Sequence, residues 1–592
     1  GCQFSGKNRD FIINSSQWIV VSSFFLALFV PILYAILRLE SVTEMSSLSA
    51  ITNFFQIIGT KEALKFTLLQ ATFSVVVTLL IGIPLAWYLG RYEWKRIRII
   101  RALLSVPFVM PAIVAAMGFI ALIEENSLLE SMGIDLRGQT ITYLGKTVQM
   151  SELTGFDNSG HFIALILAHA WFNISLIIRF VEPTLSTMDP KWEEQIRLLP
   201  AGNTFLKRIR NLWMPFIGPA IACSSALCFI FSFTSFALVK WLTPNNSTLE
   251  SLMAESGGTA GIYNYRVDTS EIVLSICLIQ LIILLSALLI TSRLQKKHSI
   301  RHAIISESSA RKTRGEVGII GKAVVSMGII FTILPLILTF ISSFRIRTVE
   351  NGNVSFSYSF EAWREVWSGD NSTIALSDAL LNSVIYAIFT LVLSLIIGWT
   401  IASCINRLEI KGKNRAAKIV DFISLSPLAV SAVMIGLGVL IGILKWIPEL
   451  FNWFFIPVLP HVLLTTPFVV RVMLPAIRSL DSSFEQQAKM LGLSPIRVWI
   501  HSKLSFLRGP LVVAGSLTIA FSLGEFGATW ILVRSGSWDT LSILTDQLMN
   551  QPKFNPMIYP MAMASASLLM ILTFTLFLIA ERMRPNGQGS GF

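Results

Sequence analysis

About twelve stretches of this chain are each long and apolar enough to cross a bilayer, and that recurrence limits the fold more than any motif does. Roughly 20 consecutive apolar residues span the hydrocarbon core as a helix. Such runs lie at about 17–39, 63–90, 102–124, 161–185, 216–242 and 271–292, then at about 318–343, 379–405, 419–446, 454–477, 508–534 and 557–581. Of the 592 residues, 53% are hydrophobic and 14% charged, too few polar groups to solvate a chain of this length in water. Lipid offers the backbone no hydrogen bonds, so each span must satisfy its own. The expectation is an all-α membrane protein. The first run has no small-residue cleavage site and reads as a retained helix rather than a signal peptide.

The net charge of +12 does not point to nucleic acid, because the basic residues are gathered between apolar runs. Arg91, Lys95, Arg96, Arg98 and Arg101 share one short loop, and Arg407, Lys411, Lys413, Arg415 and Lys418 another. Alternate loops are acidic, with Glu125, Glu130, Asp135, Glu152 and Asp157 between the third and fourth runs. The positive-inside rule then puts the basic loops, and both termini, in the cytoplasm.

The two halves repeat each other. Gly82, Ala86 and Arg91 correspond to Gly398, Ala402 and Arg407; Pro107 and Gly118 to Pro427 and Gly438. His169, Arg179 and Pro183 correspond to His461, Arg471 and Pro475, and Ser232 and Phe236 to Ser522 and Phe526. Residues 1–294 and 318–592 would each hold six spans, joined by a basic cytoplasmic linker at 295–317. An even number of spans per half makes the repeats parallel, with a pathway between them along the membrane normal. Gly-x-x-x-Ala in both second spans predicts close helix packing.

Each fourth span leads into a distinctive loop. The first reads MDPKWEEQIRLLPAGNTFLKRIRNLWMP, with Asp189 as cap, Pro190 in the first turn and Pro200-Ala201-Gly202 as the break. The second reads LDSSFEQQAKMLGLSPIRVWIHSKLSFLRGP, with Ser482 and Glu485 at capping-box spacing and Gly492 as a left-handed stop. A short capped helix in a cytoplasmic loop can dock in a groove of a soluble partner; a lone copy could equally lie on the membrane surface. Two copies at equivalent positions favour docking.

These loops resemble the EAA loop of ABC-importer permeases. Glu485, Ala488 and Gly492 fit the pattern, as do Glu193 or Glu194 with the closing Met214-Pro215; Pro200 stands where glycine is usual, with Ala201 and Gly202 beside it. The succession FSFTSFALVKWL, STLESLM, SEIVLSICLIQLI, together with SLGEFGATWIL at 522–532, is similar to the fused permeases for ferric iron and thiamine, and the last segment also to oxyanion importers. The resemblance implies a type I importer fold, two separate ATPase subunits on the loops and an external solute-binding protein. It implies no cofactor on this chain, with ATP and Mg on the ATPase, and ferric iron or thiamine as solute, iron slightly preferred.

No G-x-x-x-x-G-K-[ST] phosphate loop is present: upstream of Gly321-Lys322 the required glycine is Glu316. Nor is there an H-E-x-x-H, a G-x-S-x-G or a Cys-His metal cluster, so a transport subunit is expected rather than an enzyme. An ionised side chain within a span costs about 2.5–3.5 kcal/mol on insertion scales. Glu525, whose first-half counterpart is Ser235, either faces the pathway to meet a cation or close a gate, or pairs with a neighbouring basic group or serine. It alone supports the alternative of an ion-coupled secondary transporter without an ATPase. Lys240, Arg179 and Arg471 are expected to snorkel to span ends, and His169 and His461 to be hydrogen-bonded core residues.

Overall fold

The computed structural model describes residues 2–582 other than 144, 260–265, 307–312, 351, 481–485, 488, 489, 493, 495, 496, 499, 534–537 and 553. The first half runs through α1 (Cys2–Thr43), α2 (Thr60–Arg91), α3 (Ile97–Val109), α4 (Ala112–Ile123), α5 (Ser159–Thr187), α6 (Pro190–Arg197), α7 (Met214–Phe233), α8 (Ala237–Leu242), α9 (Leu249–Thr259) and α10 (Val267–Ser306). The second continues with α11 (Ile319–Ser342), α12 (Leu376–Ile410), α13 (Asn414–Val430), α14 (Ala432–Leu437), α15 (Val458–Arg478), α16 (Ser505–Gly524), α17 (Gly527–Leu532), α18 (Leu541–Asn550) and α19 (Ile558–Arg582). Among the described residues eleven helices are long and apolar enough to cross a membrane, and a twelfth span results if α13 and the helix after its 91° bend count together.

The third and fifth runs of each half are not the single helices their hydropathy suggests. α3 and α4 part at Met110-Pro111, where the chain turns extended, and α13 and α14 part at Ser431, whose φ is +62°. α7 gives way to α8 at Thr234–Phe236, and α16 to α17 at Glu525-Phe526. Window hydropathy cannot register such breaks, because the residues on both sides are equally apolar. Membrane helices tolerate them where freed backbone groups find other partners.

Close packing follows the small residues. A Cβ at Gly82 would stand 2.8 Å from Ile177 Cβ, and one at Gly398 2.5 Å from Val469 Cγ1, so α2 lies tight on α5 and α12 on α15 in the same way. The first helix of each half crosses to the other half. Pro31 of α1 packs on Gly442, with Ile32 against Gly438; Pro335 of α11 packs on Gly118, its carbonyl 2.8 Å from where a Cβ would be. Gly118 and Gly438 are repeat equivalents, so the exchange is reciprocal. Trp171 Nε1 also donates to the Thr332 carbonyl of α11 at 2.9 Å.

The connection between halves is more ordered than a bare tether. α10 continues to Ser306, inside the stretch read as linker. Beyond it, Arg314 N donates to Arg91 O at 2.8 Å and Glu93 N to Gly315 O at 2.9 Å, a short parallel pairing with the loop after α2. At the opposite face lie a three-stranded sheet, β1 (Ile134–Asp135), β2 (Thr140–Tyr143) and β3 (Lys146–Gln149), and a hairpin, β4 (Arg345–Glu350) and β5 (Asn353–Tyr358). Arg347 and Glu125 pair there across the halves at 3.0 Å.

Candidate functional site: two loops and a central cavity

α6 forms as its sequence predicts. Asp189 accepts from Lys191 N at 3.0 Å, Pro190 occupies the first turn, and the helix ends after two turns. Its inner face is anchored by Glu193, which is buried. Arg91 Nη2 donates to Glu193 at 2.6 Å and Arg91 Nη1 to Met188 O at 2.5 Å; Trp213 Nε1 reaches the same carboxylate at 3.3 Å, and Arg314 of the connecting segment pairs with its other oxygen. Glu194 and Ala201 are exposed, whereas Gly202 is buried with the Ile196 carbonyl where a Cβ would stand. In the second loop Glu485 and Ala488 lie outside the described residues. Gly492 has φ +72°, the left-handed stop expected of it, and Leu491 N donates to Gln487 O at 3.0 Å.

Sequence reasoning overlooked the residues that project from these loops. Leu198 and Leu199 are 86% and 55% exposed, and Met490 and Leu491, at the equivalent positions, 87% and 79%. The signal was legible: in both loops an apolar pair directly precedes the breaker.

The four helix breaks converge between the halves on a cavity of about 270 Å³. Met110, Pro111, Thr234, Ser235, Phe236, Ser431, Glu525 and Phe526 all line it, as do Phe172, Phe231, Phe468 and Phe521. Glu525 therefore lies at the cavity, and it also has a structural task. Its Oε1 accepts from Ala528 N at 2.8 Å, and its Oε2 from Thr529 N at 2.9 Å and from the Thr529 hydroxyl, which caps α17; His461 Nε2 is 3.3 Å away. This residue thus borders the cavity, and its carboxylate is already partnered. Ser235 sits at the equivalent break, where its N donates to Ser232 O at 3.5 Å. A second buried acid was not anticipated. Glu250 at the start of α9 accepts from Gln280 and, at 3.4 Å, from Val433 N, so the first half caps α14 of the second.

Between the cavity and the face opposite the loops, the halves are joined directly. The rings of Phe236 and Phe526 stack with centroids 5.5 Å apart. Lys240 Nζ donates to both oxygens of Asp546 at 2.7 and 2.8 Å, and the indole N–H groups of Trp241 and Trp530 add bonds at 2.9 and 3.1 Å. Lys240 lies 4.6 Å from the Trp530 ring centroid. It does not snorkel as expected: a buried carboxylate from the other half holds it. Arg471 pairs with Asp421 at 3.2 Å, and Arg179 lies 4.7 Å from the centroid of the Phe108 ring. The four described cysteines are buried and unpaired.

The chain is similar in sequence to known transport permeases. Residues 82–299 match the family described as the binding-protein-dependent transport system inner membrane component. The chain is 24% identical over 528 residues to the thiamine transport system permease protein ThiP of Brucella abortus, covering 88% of this chain and 87% of that protein. It is 23% identical over 480 residues to ThiP of Haemophilus influenzae, covering 79% of each. The sulfate transport system permease protein CysT of Salmonella typhimurium is 27% identical over 222 residues, 37% of this chain and 71% of that protein.

Proposed function

Because this chain is a fused, two-half type I ABC-importer permease of the binding-protein-dependent family, we propose that it carries a small solute inward, driven by two separate ATPase subunits seated on the loops at 189–212 and 481–503. ATP and Mg act on those subunits, and an external binding protein delivers the solute to the face bearing the β-strands. The basic face, with both loops and both termini, is cytoplasmic by the positive-inside rule. Halves 1–294 and 318–592 are the moving units.

The observation that carries this reading is the matched pair of exposed apolar tips, Leu198-Leu199 and Met490-Leu491. Large apolar side chains held out from such loops suit a partner's groove. Closing the two ATPases would draw the loops together and rock the halves apart at Phe236, Phe526 and the Lys240–Asp546 pair. Those contacts would hold the pathway closed toward the outside. Coupling requires that the loops have different contacts in the two states.

For the solute, thiamine has support from the ThiP relatives, which span both halves. The sulfate permease matches a single half's length, and the slight preference for ferric iron gains no support from these relatives. The ion-coupled alternative rested on Glu525, whose carboxylate is committed to α17 and His461.

The test is purification with native partners. An ATPase should co-purify, and Leu198→Glu with Leu491→Glu should release it. Gly492→Val should weaken ATP-driven uptake several-fold without loss of insertion, since the left-handed backbone costs a side-chain-bearing residue about 1–2 kcal/mol. Gradient-driven uptake by the chain alone, with no ATPase, would reverse the assignment.

A further inference from the structure

The outer junction between the halves is built around one ammonium group. Phe236 and Phe526 correspond to each other in the repeat, and four residues further on Lys240 corresponds to Trp530. Equivalent residues of two parallel repeats can touch only close to the axis that relates them. The stacked phenylalanine rings and the Lys240–Trp530 contact, 4.6 Å from Nζ to ring centroid, therefore mark that axis. A pathway between parallel halves follows the same line. Phe236 and Phe526 both line the cavity, and the Lys240 layer stands one helical turn beyond them on α8 and α17.

The Lys240 ammonium is held as a ligand would be. Asp546 accepts from it through both oxygens, and the ring centroids of Trp530, Trp241 and Phe526 lie 4.6, 5.4 and 5.8 Å from Nζ. A carboxylate backed by aromatic faces is an arrangement that recognises organic ammonium ions. The carboxylate is itself fixed: the indole N–H groups of Trp241 and Trp530 and the Asn550 amide donate to it at 2.9, 3.1 and 3.1 Å. Glu255 of α9 adds a second carboxyl within electrostatic reach of the ammonium. Asp546 has no acidic counterpart. With Leu249 and Leu541 matched as the first residues of α9 and α18, Asp546 falls opposite Ala254. Acid, Trp530 and Phe526 thus belong to the second half, and the ammonium they enclose belongs to the first.

Parting the halves takes the ammonium away and leaves Asp546, 3% exposed here, without its cation. Stranding one member of a buried ion pair is costly, and a cation arriving from outside removes that cost. A solute that can occupy the box only when the halves are parted also favours the parted state, because its affinities for the two states differ. Further in, the acids lining the cavity are Glu250 and Glu525, and none of the described lining residues is Lys or Arg. We propose that Asp546, Trp530 and Phe526 form an outer recognition subsite for an organic cation, an alkylammonium or a cationic aromatic ring, and that Lys240 is its tethered stand-in, filling the subsite while the halves are joined and yielding it to the solute when they part. The subsite depends on the importer reading for the parting of the halves, but not for the chemistry of the box.

The test is thermal unfolding of the full chain in lipid nanodiscs without ATPase. Lys240→Ala should unfold below the native chain. The n-propylammonium ion, which replaces the lost stem and charge, should restore the midpoint saturably where sodium at equal concentration does not. The native chain, its box filled, should not respond. Adding Trp530→Leu to Lys240→Ala should raise the half-saturating concentration about tenfold, the effect of one desolvated cation–π contact, and adding Asp546→Asn should abolish the response. Absence of saturable rescue, or equal rescue in the Asp546→Asn background, overturns the subsite. The native chain purified with its ATPase gives a second reading that needs no variant. Radiolabelled thiamine should bind when ATP and vanadate hold the ATPases closed, and not when nucleotide is absent. Binding as tight without nucleotide, or no binding in either state, overturns the exchange of solute for Lys240. Failure of the rescue rejects the subsite alone, and rescue in a chain with which no ATPase co-purifies rejects the importer reading alone.

Discussion

Glu193 and Glu194 are neighbours in the sequence with opposite roles. Glu193 is turned inward onto Arg91, itself fully buried, and Glu194 faces solvent. Removing one member of a buried ion pair leaves an uncompensated charge and typically costs about 3–5 kcal/mol. Glu193→Ala should therefore free α6 from its base, seen as faster tryptic cleavage at Lys191 and Arg197 and as lost ATP-driven uptake. Glu194→Ala should match the native chain in both assays, and equal behaviour of the two variants would refute the anchoring role. The sequence could narrow the anchor to these two positions but not choose between them, because the choice depends on Arg91, 102 residues away. Asp189, Pro190 and Gly492 were legible for the opposite reason: caps and left-handed stops are determined within a few residues. The Lys240–Asp546 pair, 306 residues apart, leaves no local trace.

At the scale of elements, the breaks in the third and fifth spans of each half create the cavity, and each needs something to receive its freed backbone groups. Glu525 does this for α17 and Glu250 for α14. Their carboxylates explain how acids persist in an apolar setting: peptide N–H groups at a helix start favour negative charge. Glu525→Ala should lower the thermal midpoint of the purified chain, since losing an N-cap costs about 0.5–2 kcal/mol, and Glu525→Gln, which retains one acceptor, should fall between Ala and native. A midpoint unchanged in Glu525→Ala would mean that α17 needs no cap. The number and order of spans was readable from hydropathy, and the repeat could be read residue by residue. The breaks in the fifth spans were not, because Thr234–Phe236 and Glu525-Phe526 interrupt helices without interrupting apolarity.

For the whole molecule, the crossed first helices make the halves interdependent. α1 fits against Gly438 and Gly442 of the second half, and α11 against Gly118 of the first. Each half expressed alone would expose a groove of glycines with nothing to fill it. Fragments 1–306 and 307–592 should therefore accumulate only when produced together, and should co-purify through a tag on either one. Stable accumulation of either fragment alone would show the exchange to be dispensable. Bulk at the crossing should act similarly: Gly118→Leu drives a side chain into the Pro335 carbonyl, and overpacking of this kind costs about 1–3 kcal/mol.

Arg314 reaches Glu193 from the segment that joins the halves, so the passage of the polypeptide from its first half to its second fastens the first loop. Any push received at that loop would therefore bear on the strap between the halves as well as on the half that carries the loop.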